Sequence, residues 1–400
     1  MTKKTLLYND AVKIAAPPGF SAMIKPVGAQ CNLQCSYCYY LDKKNLIDKN
    51  QKVSREIKNS LGNTLASVPG RVRNGFAIMD FGLLEQVVKQ YIADTSSVEV
   101  MFVWHGGEPL LAGIDFYKRA IYLQQKYAGD KIVKNSLQTN GTLITREWAE
   151  FFAANDFLIG ISIDGPEDVH NHYRVFGNKI VENNVSKSGS FDKVIRGLNL
   201  LKANNVEFNT LTVLTNYSEG KAVEIYNFLK STGTSFMQFL PAVDFVSSPG
   251  LQNNSSIALQ MPADWNISPK GYGEFMTSLF FEWLSKDVGK IFIQHFEVIL
   301  GIYYGLPTTL CSYAETCGDA LIVEHNGDVY SCDHFVMPEN KLGNIAEKSL
   351  SKMASSLQQR DFGFSKRESL PDECFSCEFY FSWRGGCPLH RMYVPSVKLV

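Results

Sequence analysis

Residues 29–44 read AQCNLQCSYCYYLDKK and place Cys31, Cys35 and Cys38 within eight positions. Three thiols do not pair off into a disulfide framework, and they are one short of a closed four-ligand metal site. An iron–sulfur cubane has four irons, each needing one outside ligand, normally a cysteine thiolate. A C-x-x-x-C-x-x-C loop can wrap three corners and leave the fourth iron open. The alternatives are zinc, which usually takes two C-x-x-C pairs or a Cys/His mixture, and three incidental cysteines. No histidine lies near this loop.

The segment just before it, AMIKPVG (22–28), is a short apolar run ending in glycine, and it reads as a strand that delivers its C-terminal end into the cysteine loop. The same design recurs in VEVMFVWHGGEPLL (98–111), KNSLQTNGTLIT, FLIGISIDGPEDVH, VEFNTLTVLTN and TSFMQFLPAVD. Between these runs, GLLEQVVKQYIAD, GIDFYKRAIYLQQKYAG, REWAEFFAAND, FDKVIRGLNLLKANN and KAVEIYNFLKST carry apolar residues at helical spacing. Strand, loop and helix repeated about six times predicts a parallel α/β barrel or partial barrel. In such folds chemistry sits on the loops after the strands, where each of these motifs falls. The pattern changes near residue 247, so the expected division is 1–246 and 247–400. Residues 52–78 and 177–190 read as polar insertions. In the second part GYGEFMTSLFFEWLSKDVG predicts a helix, and ALIVEHNGDVYSC a hairpin turning at Asn326-Gly327.

The 400 residues are 45% hydrophobic with a formal net charge of −1. That is ample for a large core and gives no footprint of nucleic-acid or membrane-surface binding. The N-terminal stretch has no secretory pattern and no window suits a membrane span, so a cytoplasmic location is expected. The nine cysteines fall in two groups, 31–38 and 311–387. In a reducing compartment that clustering points to metal or cluster ligation.

CNLQCSYCYY followed by WHGGEP resembles the radical S-adenosylmethionine (SAM) enzymes. The resemblance implies that Cys31, Cys35 and Cys38 hold a 4Fe–4S cluster whose open iron chelates SAM. Reductive cleavage then gives a 5′-deoxyadenosyl radical, chemistry that no side chain can start. It also implies SAM contacts from Gly106, Gly107 and Glu108 at the methionine amino group, from Ser162 and Arg174 at ribose and carboxylate, from the Tyr37 backbone, and from Val243 at adenine. Glycine allows close backbone approach, and the arginine fork suits a carboxylate. On residue type alone Arg174 is equally a surface arginine, and Val243 a core residue.

MIKPVGAQCNLQCSYCYYL, WHGGEPLL, LQTNGTLI, ISIDGP and NGDVYSCDHFV together resemble the anaerobic sulfatase-maturating enzymes, over nearly the whole chain. That implies a partial (β/α)6 TIM-like radical SAM barrel with a C-terminal iron–sulfur extension of the SPASM type. The implied reaction oxidises a cysteine or serine of an unfolded or nascent sulfatase to Cα-formylglycine. Asp333 would act as base, Tyr40 would lie on the substrate side, His334 would stand behind Asp333, and flavodoxin or ferredoxin would donate electrons. By residue type alone Asp333 is a turn-capping aspartate, and Tyr39 and Tyr40 are core aromatics. The competing readings are another SPASM enzyme, for instance one forming thioether cross-links in peptides, and a non-enzymatic electron carrier.

The resemblance assigns Cys311, Cys317, Cys332 and Cys387 to a first auxiliary cluster. It assigns Cys374 and Cys377 to a second, whose third cysteine is expected six residues after Cys377. That position is Trp383, and no cysteine follows Cys387. Indole does not ligate iron. The expectation is two 4Fe–4S clusters, with the third in doubt, in a truncated or decayed sequence or in a protein working with one auxiliary cluster.

Overall fold

The computed structural model describes residues 19–41, 43, 71–73, 76–177, 179–181, 184–186, 188–247, 260–391, 393–394 and 397–398. The predicted insertion at 52–78 falls largely outside these residues, and that at 177–190 partly. The described parts include short antiparallel pairs, Arg71–Arg73 with Phe76–Ile78 and Lys179–Val181 with Asn184–Ser186.

Each predicted strand forms and is followed by helix. The order is β1 (Ser21–Lys25), α1 (Phe81–Asp94), β2 (Glu99–Trp104), α2 (Ile114–Tyr127), β3 (Ile132–Thr139) and α3 (Arg146–Ala154). Then come β4 (Phe157–Ser162), α4 (Glu167–Tyr173), α5 (Phe191–Ala203), β5 (Phe208–Leu214), α6 (Ala222–Ser231) and β6 (Phe236–Pro241). Helix starts follow local chemistry: Asp80 accepts from the backbone N–H groups of Gly82 and Leu83 at the start of α1, and Thr145 caps α3. Beyond these lie α7 (Pro269–Lys286), β7 (Phe292–Ile293), α8 (Gln294–Tyr303), β8 (Ala320–Glu324), β9 (Asp328–Tyr330) and β10 (Lys341–Asn344). The last helices used below are α9 (Leu350–Ala354), α10 (Leu357–Glu368) and α11 (Asp372–Phe375).

One ten-stranded sheet runs β7-β6-β5-β4-β3-β2-β1-β8-β9-β10. Every pair from β7 to β8 is parallel, and the β8–β9 and β9–β10 pairs are antiparallel. The order does not close on itself, so this is a partial barrel with a hairpin extension. Gly327, at φ +85°, makes the hairpin turn where an L side chain would be strained.

The feature absent from the sequence reading is the β1–β8 pair. Ser21 opposes Ala320 and Lys25 opposes Glu324. The C-terminal hairpin is therefore part of the barrel's sheet, laid directly against the strand that feeds the cysteine loop. Beneath the strands Trp104, Phe102, Phe116, Tyr117 and Trp148 form an aromatic core. The buried Trp104 indole N–H donates to Asn135 Oδ1 at 2.8 Å, so its polar edge is satisfied. No helix among the described residues is long and apolar enough to cross a membrane.

Candidate functional site: the cysteine loop and its neighbours

The cysteine loop is held by neighbouring loops. The Gly107 N–H donates to Gly28 O and the Glu108 N–H to Gln30 O, each at 2.8 Å, and the Gln34 N–H reaches Val175 O at 2.8 Å. Asn32 donates to Thr142 Oγ1 at 2.9 Å, and Asn140 Nδ2 donates to Asn32 Oδ1 at 2.9 Å and approaches Cys31 Sγ at 3.7 Å. Gly106 and Gly107 are required by this packing. A Cβ on Gly107 would lie 2.1 Å from Gln30 O, and one on Gly106 2.8 Å from Gly28 O. The close approach these glycines permit is therefore, in this structure, to the cysteine loop itself.

Glu108, the third residue of the expected SAM-contacting segment, is anchored inside the protein. It is fully buried, and its carboxylate accepts from Thr139 Oγ1 (2.8 Å), the Asn140 N–H (2.8 Å) and the Leu110 N–H (3.0 Å). It bolts the GGEP loop to the end of β3. Burial pushes its carboxyl up to about 7 against the pull of those donors.

Cys35 is buried and Cys31 and Cys38 are half-buried. Burial raises the Cys31 thiol to about 12 and the Cys35 thiol to about 11, with the neighbouring cysteines adding to the rise. Such thiols stay protonated until a metal takes them as thiolates. Beside them Arg174 is buried. One guanidinium N–H donates to the Tyr37 hydroxyl at 2.8 Å, and Tyr37 donates to Asp164 at 2.5 Å. Arg174 Nε has no hydrogen-bond partner. A buried donor left open next to three thiols fits an anionic ligand atom. Burial removes the alternative reading of Arg174 as a surface arginine, and Tyr37 engages through its side chain as well as lying in the loop. Ser162 Oγ, at the end of β4, accepts from Gln138 at 3.0 Å. Val243 is half-buried in the segment after β6.

Asp333 sits at the junction of barrel and hairpin. Its carboxylate is bonded to the Lys25 ammonium and the Tyr39 hydroxyl. Lys25 is fully buried and its Nζ lies 3.3 Å from the centroid of the Tyr40 ring. Tyr40 is buried and donates to Glu324. Burial alone would raise the Asp333 carboxyl, but Lys25, with His105 and His334, outweighs it and holds the group well below the usual carboxylate range. Lys25 and Tyr39 were missed by sequence reasoning. The only signal was a lysine inside an otherwise apolar strand.

Farther along, Cys311, Cys317, Cys332 and Cys387 share one electrostatic neighbourhood: Cys311 and Cys387 act on both Cys317 and Cys332. Burial raises Cys317 and Cys332 to about 12. His334 Nδ1 lies 3.3 Å from Cys387 Sγ, and His334, Cys387 and His390 offer ligand atoms within 4.8 Å of one another. Cys374, in α11, is buried, and Cys377, just beyond the end of α11, is exposed.

The comparisons with known proteins agree with this geometry. The radical SAM superfamily matches residues 26–229, and SPASM, an iron–sulfur cluster-binding domain, matches residues 311–378. The chain is 42% identical over 373 residues to the serine-type anaerobic sulfatase-maturating enzyme of Bacteroides thetaiotaomicron, covering 92% of this chain and 82% of that one. It is 33% identical over 370 residues to the cysteine-type enzyme of Clostridium novyi, covering 92% and 87%. The solved structure of native anSMEcpe with bound AdoMet and Cp18Cys peptide superimposes with a TM-score of 0.76 at 28% identity, covering 96% of this chain and 92% of that one. With three thiols just after the first barrel strand and a C-terminal iron–sulfur-binding region joined to the same sheet, the chain belongs to the anaerobic sulfatase-maturating enzymes of the radical SAM superfamily.

Proposed function

We propose that this protein oxidises a serine or cysteine side chain of a sulfatase-derived peptide to Cα-formylglycine, with Asp333 as the base. The observation that carries the reading is the contact of Asp333 with Lys25 and Tyr39. Tyr39 follows Cys38 directly, so the carboxylate is tied to the three-cysteine loop although it lies about 300 residues away in the chain.

Cys31, Cys35 and Cys38 would hold a 4Fe–4S cluster, and the Gly106, Gly107 and Glu108 segment, Ser162, Arg174, Tyr37 and Val243 would line the place for SAM. When bound, these groups supply reductive cleavage of SAM and the hydrogen-atom abstraction that it enables. The chain's own residues do the rest. Asp333 is ionised, which is the form that accepts a proton from a substrate hydroxyl or thiol. Lys25 and Tyr39 fix its position. Tyr40, bonded to Glu324 and packed on Lys25, forms the wall on the substrate side. Cys311, Cys317, Cys332 and Cys387 would hold an auxiliary cluster.

Serine oxidation removes two hydrogen atoms from the side chain: one would go to the SAM-derived radical, and the other would leave as a proton to Asp333 and an electron to the auxiliary cluster. Cysteine oxidation removes two, after which water replaces sulfur and hydrogen sulfide leaves. The test is anaerobic incubation with SAM, a low-potential reductant such as flavodoxin or ferredoxin, and a peptide containing C-x-P-x-R or its serine counterpart, read by mass spectrometry. The expected result is 5′-deoxyadenosine together with the aldehyde peptide. Formation of 5′-deoxyadenosine with neither peptide oxidised would leave the radical SAM assignment standing and remove the sulfatase reading.

A further inference from the structure

We infer that Lys366 is a positioning residue for the auxiliary cluster: a buried cation that holds the Cys311 loop and raises the cluster's reduction potential. The inference rests on the assignment of Cys311, Cys317, Cys332 and Cys387 to that cluster.

Lys366 lies on α10 and is fully buried. Its ammonium donates to the carbonyl oxygens of Cys311 (2.7 Å), Ser312 (3.0 Å) and Ala314. Among the described residues no carboxylate lies within ion-pair range of it. The nearest acidic residue in that loop, Glu315, pairs with Arg367 instead. A buried ammonium with neutral acceptors alone is an expensive arrangement. The groups that face its charge are the thiols of Cys317, Cys311 and Cys387, together with Arg391.

The rest of α10 is shaped for the same loop. Gln359 donates to Gly318 O at 2.7 Å, and the Cys317 N–H donates to Gly363 O at 3.1 Å. A Cβ on Gly363 would lie 2.6 Å from Cys317 O. Residues 359, 363 and 366 recur at four- and three-residue steps, so they share one helix face. That face presses the cysteine-bearing loop into place with its one charge on the carbonyls of the Cys311 loop and in the electrostatic neighbourhood of the thiols.

A cubane held by four thiolates is roughly a dianion when oxidised and a trianion when reduced, and its potential responds to nearby charge and solvent exposure. Lys366 supplies the missing countercharge. It favours the reduced form more than the oxidised one, because the attraction grows with the cluster's negative charge. Arg391, which donates to Lys366 O at 2.7 Å, adds a second and more exposed cation. The arrangement makes the auxiliary cluster a better electron acceptor than an all-neutral pocket would.

The test uses the full-length chain with Cys31, Cys35 and Cys38 replaced by alanine, so that only auxiliary iron–sulfur signals remain. It is reconstituted anaerobically and titrated potentiometrically with spectroscopic detection. Lys366→Gln keeps donors for the loop carbonyls and removes the charge; Lys366→Arg keeps the charge. The midpoint should move to more negative potential in Lys366→Gln and stay near the parent's in Lys366→Arg. Loss of the cluster in the glutamine variant with retention in the arginine variant would equally support a required cation. An unchanged midpoint in a fully loaded Lys366→Gln protein overturns the inference while leaving the proposed function intact. Loss of the cluster in both variants also overturns it, by reducing Lys366 to a fold requirement. A parent without any auxiliary cluster would overturn both this inference and the ligand assignment beneath it.

Discussion

The two cysteine groups that begin and end the chain's metal chemistry are built by different means. Around Cys31, Cys35 and Cys38, loops after several strands cross and bond to one another: Gly107 to Gly28, Glu108 to Gln30, Gln34 to Val175, Asn32 to Thr142. Around Cys374 and Cys377 the scaffold is local, with the Cys377 N–H donating to Cys374 O at 3.3 Å within one short turn. Its neighbours include the exposed aromatics Phe375, Phe379, Phe381 and Trp383, with Phe379 56% exposed. A ligand set whose geometry is imposed from several elements is preorganised; one carried by a single turn depends on the cluster to organise it. Lesions in the first group should therefore abolish function outright, and lesions in the second should have small effects.

Cys35→Ala should abolish 5′-deoxyadenosine formation after anaerobic reconstitution, and wild-type SAM cleavage by that variant would refute the central ligand assignment. Gly107→Ala probes the scaffold without touching a ligand. Its Cβ would meet backbone at Gln30, which has no flexible end to move aside. The variant should load far less iron at the first site and lose most SAM cleavage. Normal loading in Gly107→Ala would mean that the loop tolerates displacement and that the contrast between the two regions is weaker than the hydrogen bonds suggest.

Asp333 joins the preorganised region to the hairpin. Asp333→Asn keeps the side chain's size while removing the basic carboxylate and the Lys25 ion pair. Peptide oxidation should fall by about 100-fold or more, with 5′-deoxyadenosine still produced. Equal loss of both activities would place Asp333 in SAM cleavage or in folding instead.

The sequence carried the parts of this arrangement that have a local signal. Parallel strands buried on both faces leave apolar runs, their loops begin with glycine, and C-x-x-x-C-x-x-C is a spacing with few other uses. Asn326-Gly327 marked its own turn. Long-range choices had no such mark. Nothing in Ser21–Lys25 names Ala320–Glu324 as its parallel partner. Without that pair, the contacts of Asp333 with Lys25 and Tyr39 are invisible, as is the fact that Tyr39 and Tyr40 are occupied by carboxylates. Glu108 shows a further limit: the resemblance places its segment at SAM, but the three donors from its own and the neighbouring loop that hold its carboxylate had no mark in the sequence.

The second region gives a count. Cys374 and Cys377 supply two thiolates, and Trp383 stands where a third is expected. The 400-residue chain should therefore load about eight irons, two cubanes. Cys374→Ala/Cys377→Ala should load the same number, and Trp383→Cys should load more. Iron and sulfide analysis decides this. About twelve irons in the parent falling to about eight in the double variant would show that a single turn suffices to hold a third cluster, and the contrast drawn above would fail.

The smallest effect concerns Glu108 and the stability of the preorganised region without its cluster. The carboxyl is raised from 4.5 to about 7 by burial. Below pH 4.5 it is protonated in both folded and unfolded chains and contributes no pH dependence. As pH rises from 4.5 to about 7, the unfolded chain releases a proton that the folded chain retains, so folding is progressively penalised. Above about 7 the penalty is constant, at about 3 kcal/mol by the size of the shift. Glu108→Gln has no such proton to hold. It will lose one accepted hydrogen bond at every pH, since its amide nitrogen faces a donor, and that offset is flat. The stability of the wild type relative to the variant should therefore fall between pH 4.5 and 7 and then level. Denaturant unfolding of the cluster-free proteins under reducing conditions, at several pH values across that window, measures the difference directly. A flat difference would mean that Asn140, Leu110 and Thr139 fully offset the burial, and that Glu108 is a carboxylate throughout, bolting the GGEP loop in place with its charge intact.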